Sequence, residues 1–289
     1  MSQSTAIEWT DVSWNPVHGC SKVSPGCAHC YAATLSLRYG QTKKPWTPAN
    51  AAENVMLKPH KLREPLSNAK EWRGLGAAAA AAGMADGKLV FVNSTSDLFH
   101  EEVPSTFIID VFNVMGEARQ HTFQILTKRP ERMANMLRSW PLREHWPNVW
   151  LGVSIENRRF AGRADWLRLI SPAVRFISAE PLLGPLVGME KRQQDYPIRA
   201  GRPHGVVQET WRPGLDLTGI DWLIIGGESG PGHRRMDLQR ARDLRDAAQH
   251  GGTALFVKQL GGARPGTELE DLPADLRVRE FPTRAEATA

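Results

Sequence analysis

Every thiol of this chain lies in one short loop. The three cysteines are Cys20, Cys27 and Cys30, within the stretch from Trp14-Asn15-Pro16 to Cys30-Tyr31, which is punctuated by Gly19, Pro25 and Gly26. Such clustering points to a metal centre. Three thiolates can hold three irons of a cubane cluster and leave the fourth iron open to a non-protein ligand, as a reactive rather than electron-storing cluster needs. The competing metal is zinc in a Cys3His set, with His18 or His29 as the fourth ligand and the chain acting as a nucleic-acid-binding or other interaction protein without catalysis. A C-x6-C-x2-C spacing matches neither the paired C-x2-C knuckles of zinc ribbons nor the four-cysteine ferredoxin run. An odd number of cysteines crowded at one end also cannot form the paired framework of a secreted domain.

The elements that must position this loop are short apolar runs, each ending in polar residues and followed by helical spacing. Leu89–Asn93, Thr122–Thr127, Val149–Ser154, Val174–Ser178, Trp222–Gly226 and Ala254–Lys258 read as buried parallel strands. Asp11–Val17 is a weaker seventh strand, placed just before the cysteines. Helices are expected over Ala28–Tyr39, Ser105–Ala118, Pro130–Trp140, Asn157–Ile170 and Asp237–Gln249, with Ser105 as an N-cap and Pro130 at a first helical position. The predicted fold class is α/β, a partial (β/α) barrel of about six to seven parallel strands. Polar residues follow nearly every strand, as expected when all the carboxyl ends converge on one site.

The barrel is expected over residues 1–260. Within it, residues 74–87 form a Gly- and Ala-rich connector, read as a flexible surface link, and 190–217 an insertion long enough to be a lid. Residues 261–289 read as a polar tail packed loosely or not at all. A formal charge of +5, a pI near 9.3 and ten tryptophans suit phosphate contact and base stacking, with Trp46 the candidate stacking residue. No stretch approaches the roughly 18 apolar residues of a membrane span. A membrane role is therefore not expected, and the reading is cytoplasmic.

Beyond the cysteines, several motifs carry a resemblance. They are Ile7-Glu8-Trp9-Thr10, Trp14-Asn15-Pro16, Thr127-Lys128-Arg129-Pro130, Leu151 to Asn157, Ser178-Ala179-Glu180-Pro181-Leu182, Gly226-Gly227-Glu228-Ser229-Gly230 and Val257-Lys258-Gln259. Together they resemble the phage-type three-cysteine family of unknown function. The cysteine loop is similar to that of radical S-adenosylmethionine enzymes, whose usual spacing is C-x3-C-x2-C. The resemblance implies that Cys20, Cys27 and Cys30 ligate a [4Fe-4S] cluster. S-adenosyl-L-methionine would chelate the unique iron and yield a 5′-deoxyadenosyl radical, with a flavodoxin or ferredoxin as electron donor. A nucleic acid base or nucleotide is the expected substrate, for modification or repair, with a peptide or small molecule left open as the alternative, and a partner protein is expected as an option for its delivery. His29 holds the place where the superfamily often lays an aromatic residue against adenine.

The remaining candidates stand at strand ends. Asn93, Ser96 and Asp97 follow the second strand, where Ser96 or Asp97 can accept the cofactor ammonium or merely close an Asx or Ser turn. Lys128 and Arg129 can meet a carboxylate or phosphate, or form a solvent-facing basic turn. Ser154, Glu156 and Asn157 can hold ribose hydroxyls, while Asn157 can also cap the next helix. Glu180 and Glu228 are read as catalytic carboxylates, and Lys258 as a phosphate ligand or the salt-bridge partner of Glu228. The charges around Arg240, Arg242 and Arg245 read mainly as a solvated helix face.

Overall fold

A computed structural model describes residues 3–5, 7–188, 190–192, 210–212, 214–264 and 266–282. Seven parallel strands form its main sheet: β1 (Val12–Trp14), β2 (Leu89–Val92), β3 (Thr122–Thr127), β4 (Val149–Ser154), β5 (Val174–Ala179), β6 (Trp222–Gly226) and β7 (Ala254–Gln259). Their order in space is their order in sequence, and the short segment Gln3–Ser4 pairs antiparallel with β1 at one edge. Right-handed crossovers in a sheet that never reverses its order put every connection on the same face. The sheet therefore curls into a half-barrel with helices outside, and the expected partial barrel is found.

Alternation along the strands separates two cores. Val90, Val92, Phe123, Ile125, Leu151, Val153, Ile177, Leu223, Ile225 and Val257 face the helices α3 (Ser105–Glu117), α4 (Pro130–Leu137), α5 (Arg163–Arg168) and α6 (Leu238–Gly251). Their opposite neighbours Leu89, Phe91, Trp150, Phe176, Trp222, Ile224 and Phe256 fill the inside of the curl. Trp9 packs among them, 4.7 Å from the Phe91 ring and 6.1 Å from that of Trp222. Buried aromatics of this size supply much of the apolar burial, so the interior is a solid floor rather than a pore.

Three expectations are corrected. The connector at 74–87 is not a free link: Ala77–Ala81 forms helix α2, with Ala78 and Ala79 buried against Trp9. The Asp11 carboxylate accepts from the N–H groups of Ala78, Ala79 and Leu89 at 2.8, 3.1 and 2.9 Å, which satisfies donors that a helix start leaves open. The tail is packed through residue 282. Leu272 and Leu276 are fully buried, Phe281 lies 5.4 Å from Trp222, and Arg279 stands over Phe256. Ser105 does not cap α3, whose N-cap is Pro104 with no side-chain bond, whereas Pro130 does start α4 as read.

The insertion is described only as an antiparallel pair of Glu190–Arg192 with Thr210–Arg212, and as 214–217, where Leu215 and Leu217 join the core. The lid reading otherwise lies outside the described residues. Among the described residues no helix is long and apolar enough to cross a membrane.

Candidate functional site

Continuing each strand's inward-facing set past its end gives the rim of the curl: Asn93 after β2, Lys128 after β3, Ser154 on β4 and Glu156 after it, Ser178 on β5 and Glu180 after it, Gly226 on β6 and Glu228 after it, and Lys258 on β7. The cysteine loop leaves β1 at the same end. It is stitched to the loop after β2 by a parallel bridge between Gly19 and Ser96, with Gly19 N–H donating to the Thr95 carbonyl at 3.3 Å. Gly19 has φ +84°, and a Cβ there would lie 1.8 Å from the Asn54 carbonyl oxygen, so only glycine fits. Helix α1 (Tyr31–Arg38) carries the loop away, and Trp46 packs against Ala32, Ala33, Cys20 and Cys30. Trp46 is thus a core residue, 4% exposed, with its ring nitrogen donating to Thr42. Its assignment to base stacking is corrected.

Three side chains from other strand ends clamp the cysteine loop. Glu156, fully buried, accepts from the Gly26 N–H at 3.3 Å and from Arg163 at 2.9 Å. Glu228 accepts from Arg234, through its backbone and its guanidinium, and lies 3.0 Å from His29 Nδ1. Arg234 in turn donates to the Pro25 carbonyl at 3.0 Å. Arg129 donates to the Cys20 sulfur at 3.5 Å, to both oxygens of Ser21, to Asp97 and to Glu101. Burial alone would raise the Glu228 carboxyl, but the Arg234 bonds and His29 outweigh it and lower its pKa to about 2.

The sequence-predicted residues therefore divide. Asp97 is 5% exposed and accepts from Phe99 N–H, Thr127 Oγ1, Lys128 N–H and Arg129, so both carboxylate oxygens are taken within the fold. Ser96 donates to the Val17 carbonyl. Asn93 adopts φ +62° and accepts from Val17 N–H, while its buried amide nitrogen has no hydrogen-bond partner among the described residues. Ser154 is buried, and its carbonyl accepts from Arg163. Asn157 caps the following 3-10 turn through Arg159 N–H. Lys258 pairs with Glu180 at 3.2 Å rather than with Glu228, which corrects that expectation. The contact is an ion pair, and among the described residues no aligned hydrogen bond reaches this Glu180 Oε1. Glu180 and Lys258 remain facing the curl, with Ser178 donating to Glu180 at 3.3 Å.

Chemically, the loop suits a soft, anionic metal group. All three thiols are free and partly buried. Burial pushes the Cys20 thiol up to about 12, assisted by Asp97 and opposed by Arg129; burial likewise raises Cys30. Metal binding must therefore displace protons. Cations stand ready to balance the thiolates: Arg129 acts on Cys20, Lys128 on Cys30 and Arg163 on Cys27. Among the described residues no group of three or more His, Cys, Asp or Glu is arranged for a single ion; a cubane instead takes each thiolate on a separate iron. His18 is engaged at both ring nitrogens, by Ser36 at 2.9 Å and Thr95 at 3.5 Å, which removes it as a zinc ligand in this arrangement.

The clamping roles of Arg163 and Arg234 are not visible in the sequence. Arg129 was visible only as a cation after a strand, and the one available signal was its place between Thr127 and Pro130. The basic helix face reads as expected, with Arg242 and Arg245 on Asp275 at 2.8 and 2.7 Å and Arg240 near Asp237 at 3.4 Å.

Two solved structures of spore photoproduct lyase mutants are similar to this chain at 12% sequence identity. One holds AdoMet and dinucleoside spore photoproduct, the other dinucleoside spore photoproduct, and their TM-scores are 0.40 and 0.42. Each comparison covers 86% of this chain, but 64% and 63% of the lyase chains, so this chain spans just under two thirds of their length. No curated protein matches it. A family model described as a protein of unknown function (DUF5131) matches residues 4–281, and the chain belongs to that family.

Proposed function

We propose that this chain is a radical S-adenosylmethionine enzyme that modifies or repairs a nucleic acid base or nucleotide. The observation that supports it most is the meeting of all three thiols with the polar ends of six strands at one mouth, above a sealed aromatic floor. Cys20, Cys27 and Cys30 would hold a [4Fe-4S] cluster. Such a cluster would supply, with S-adenosylmethionine bound, the one-electron chemistry for abstracting a hydrogen atom from substrate.

The chain's own residues have three tasks in this reading. Glu156, Glu228 and Arg129 hold the cysteine loop against the strand ends, and so would orient a metal group held by its thiolates. His29, held by Glu228 through Nδ1, presents its ring beside the loop for the adenine. Glu180 and Lys258 remain as the charged pair facing the mouth, where they orient a polar substrate group. An extruded base would have to reach that mouth, because a radical reacts only with what lies against it. An electron donor such as a flavodoxin or ferredoxin completes the scheme, and the phage-type assignment rests on the motifs alone.

The test is anaerobic purification and reconstitution, with iron, sulfide and zinc assays, followed by dithionite and S-adenosylmethionine. About four irons per chain, lost on Cys27→Ala, and formation of 5′-deoxyadenosine are the expected results. Stoichiometric zinc that disappears in His29→Ala would replace this reading with the zinc-stabilised binding module.

A further inference from the structure

Beside the cysteine loop, outside the mouth, lies a cleft of about 710 Å³ between the connections that follow β3 and β4. Val23 of the cysteine loop forms part of its wall, so cleft and mouth share a border. Lys128, Arg129, Arg132, Arg159 and Arg163 line it against two carboxylates, Glu101 and Glu131. Arg129 and Arg163 are held by Asp97 and Glu156. The other three cations have no carboxylate partner among the described residues. Arg132 donates only to the backbone carbonyls of His100 and Val103, and Arg159 is exposed with its guanidinium 5.8 Å from the Phe160 ring. Phe160 and Trp166, both half-buried, add aromatic surface to the same wall.

We infer that this cleft binds the sugar-phosphate backbone of a single-stranded nucleic acid and leads it to the mouth. Cations without carboxylate partners that line one groove suit phosphates, and neighbouring aromatic surface suits bases. Lys128 follows β3 in its inward-facing register and also lines the cleft, which makes it the link between strand and mouth. The inference rests on the nucleic acid part of the function proposed above.

The test measures binding of a fluorescein-labelled thymidine 12-mer to the full chain by anisotropy, from 50 to 200 mM NaCl. Three phosphate contacts on a single strand give a log–log salt slope of about −2, an affinity loss of about 20-fold over that range. Arg159→Ala, at an exposed side chain without a hydrogen bond, should bring the slope to about −1.4 and the loss to about 7-fold. Arg242→Ala with Arg245→Ala removes two charges outside the cleft and should leave the slope unchanged. An absence of binding at 50 mM, an unchanged slope in Arg159→Ala, or an equal drop in the Arg242/Arg245 pair would overturn the inference. None of these readouts needs the metal group or the cofactor. Binding without 5′-deoxyadenosine formation would therefore sink the enzyme reading and leave the cleft standing, and the reverse result would separate them the other way.

Discussion

Replacing Glu228 by Gln should change how the stability of this chain responds to acid. In the native chain its carboxyl is brought from 4.5 to about 2, because Arg234 and His29 outweigh the opposing effect of burial. A carboxyl depressed on folding stabilises the fold fully above its unfolded pKa and ceases to do so as pH falls through its folded pKa. The window is therefore about pH 5 to pH 2. At 1.36 kcal/mol per unit the shift corresponds to about 3 kcal/mol, and screening at the open rim reduces this to about 2. Urea unfolding of the metal-free protein should show Glu228→Gln less stable by that amount at pH 6. More than half of the gap should vanish by pH 3, where the native carboxylate has begun to matter less. The variant also weakens the tie to His29 and, through Arg234, the tie to Pro25, so alkylation of the cysteines should be faster at neutral pH. A gap that stays constant from pH 6 to pH 3, or no gap at pH 6, would refute the assignment of Glu228 as a charged clamp.

Asp11→Asn removes a charged acceptor for three N–H groups, and a cost of about 1–3 kcal/mol is expected as a lower urea midpoint with an unchanged m-value. Trp46→Ala should cost about 3–5 kcal/mol and speed alkylation of Cys20 and Cys30, which it packs against; unchanged thiol rates would show that it does not shield them. At Gly226 a Cβ would lie 2.2 Å from the Glu180 carboxylate, so Gly226→Ala should displace Glu180 from Lys258 at a cost of about 1–3 kcal/mol. Thermal stability equal to the parent would contradict that close approach.

The strands were legible because both faces of each are buried, which leaves short β-branched and apolar runs with no helical period to confuse them. The strand-end residues were legible as a set for a related reason: a parallel sheet in sequential order sends every carboxyl end to one side. What each of them touches was not. Asp11 caps a helix 66 residues later, and nothing local to Ala77–Ala81 records that partner. Leu272, Leu276 and Phe281 sit in a polar stretch, so composition hid the apolar residues that bring the C-terminal segment back to Trp222. Arg129 stayed open between a carboxylate or phosphate contact and a solvent-facing turn, and the clamping roles of Arg163 and Arg234 did not show at all, because a cation's burial depends on a carboxylate that the sequence places elsewhere.

Those pairings separate the carboxylates by what they can do. Glu156 and Asp97 are closed by donors from the fold, and Glu228 is closed by Arg234 and His29, so none of the three has an oxygen free to receive a new cation without breaking a clamp. Glu180 differs: its Oε1 meets Lys258 without an aligned hydrogen bond, and its Oε2 has only a 3.3 Å contact from Ser178. A buried acceptor left short of donors is costly unless a ligand completes it. Of the carboxylates predicted at the mouth, Glu180 is thus the one the fold leaves available to an incoming donor, while the others keep the cysteine loop in place.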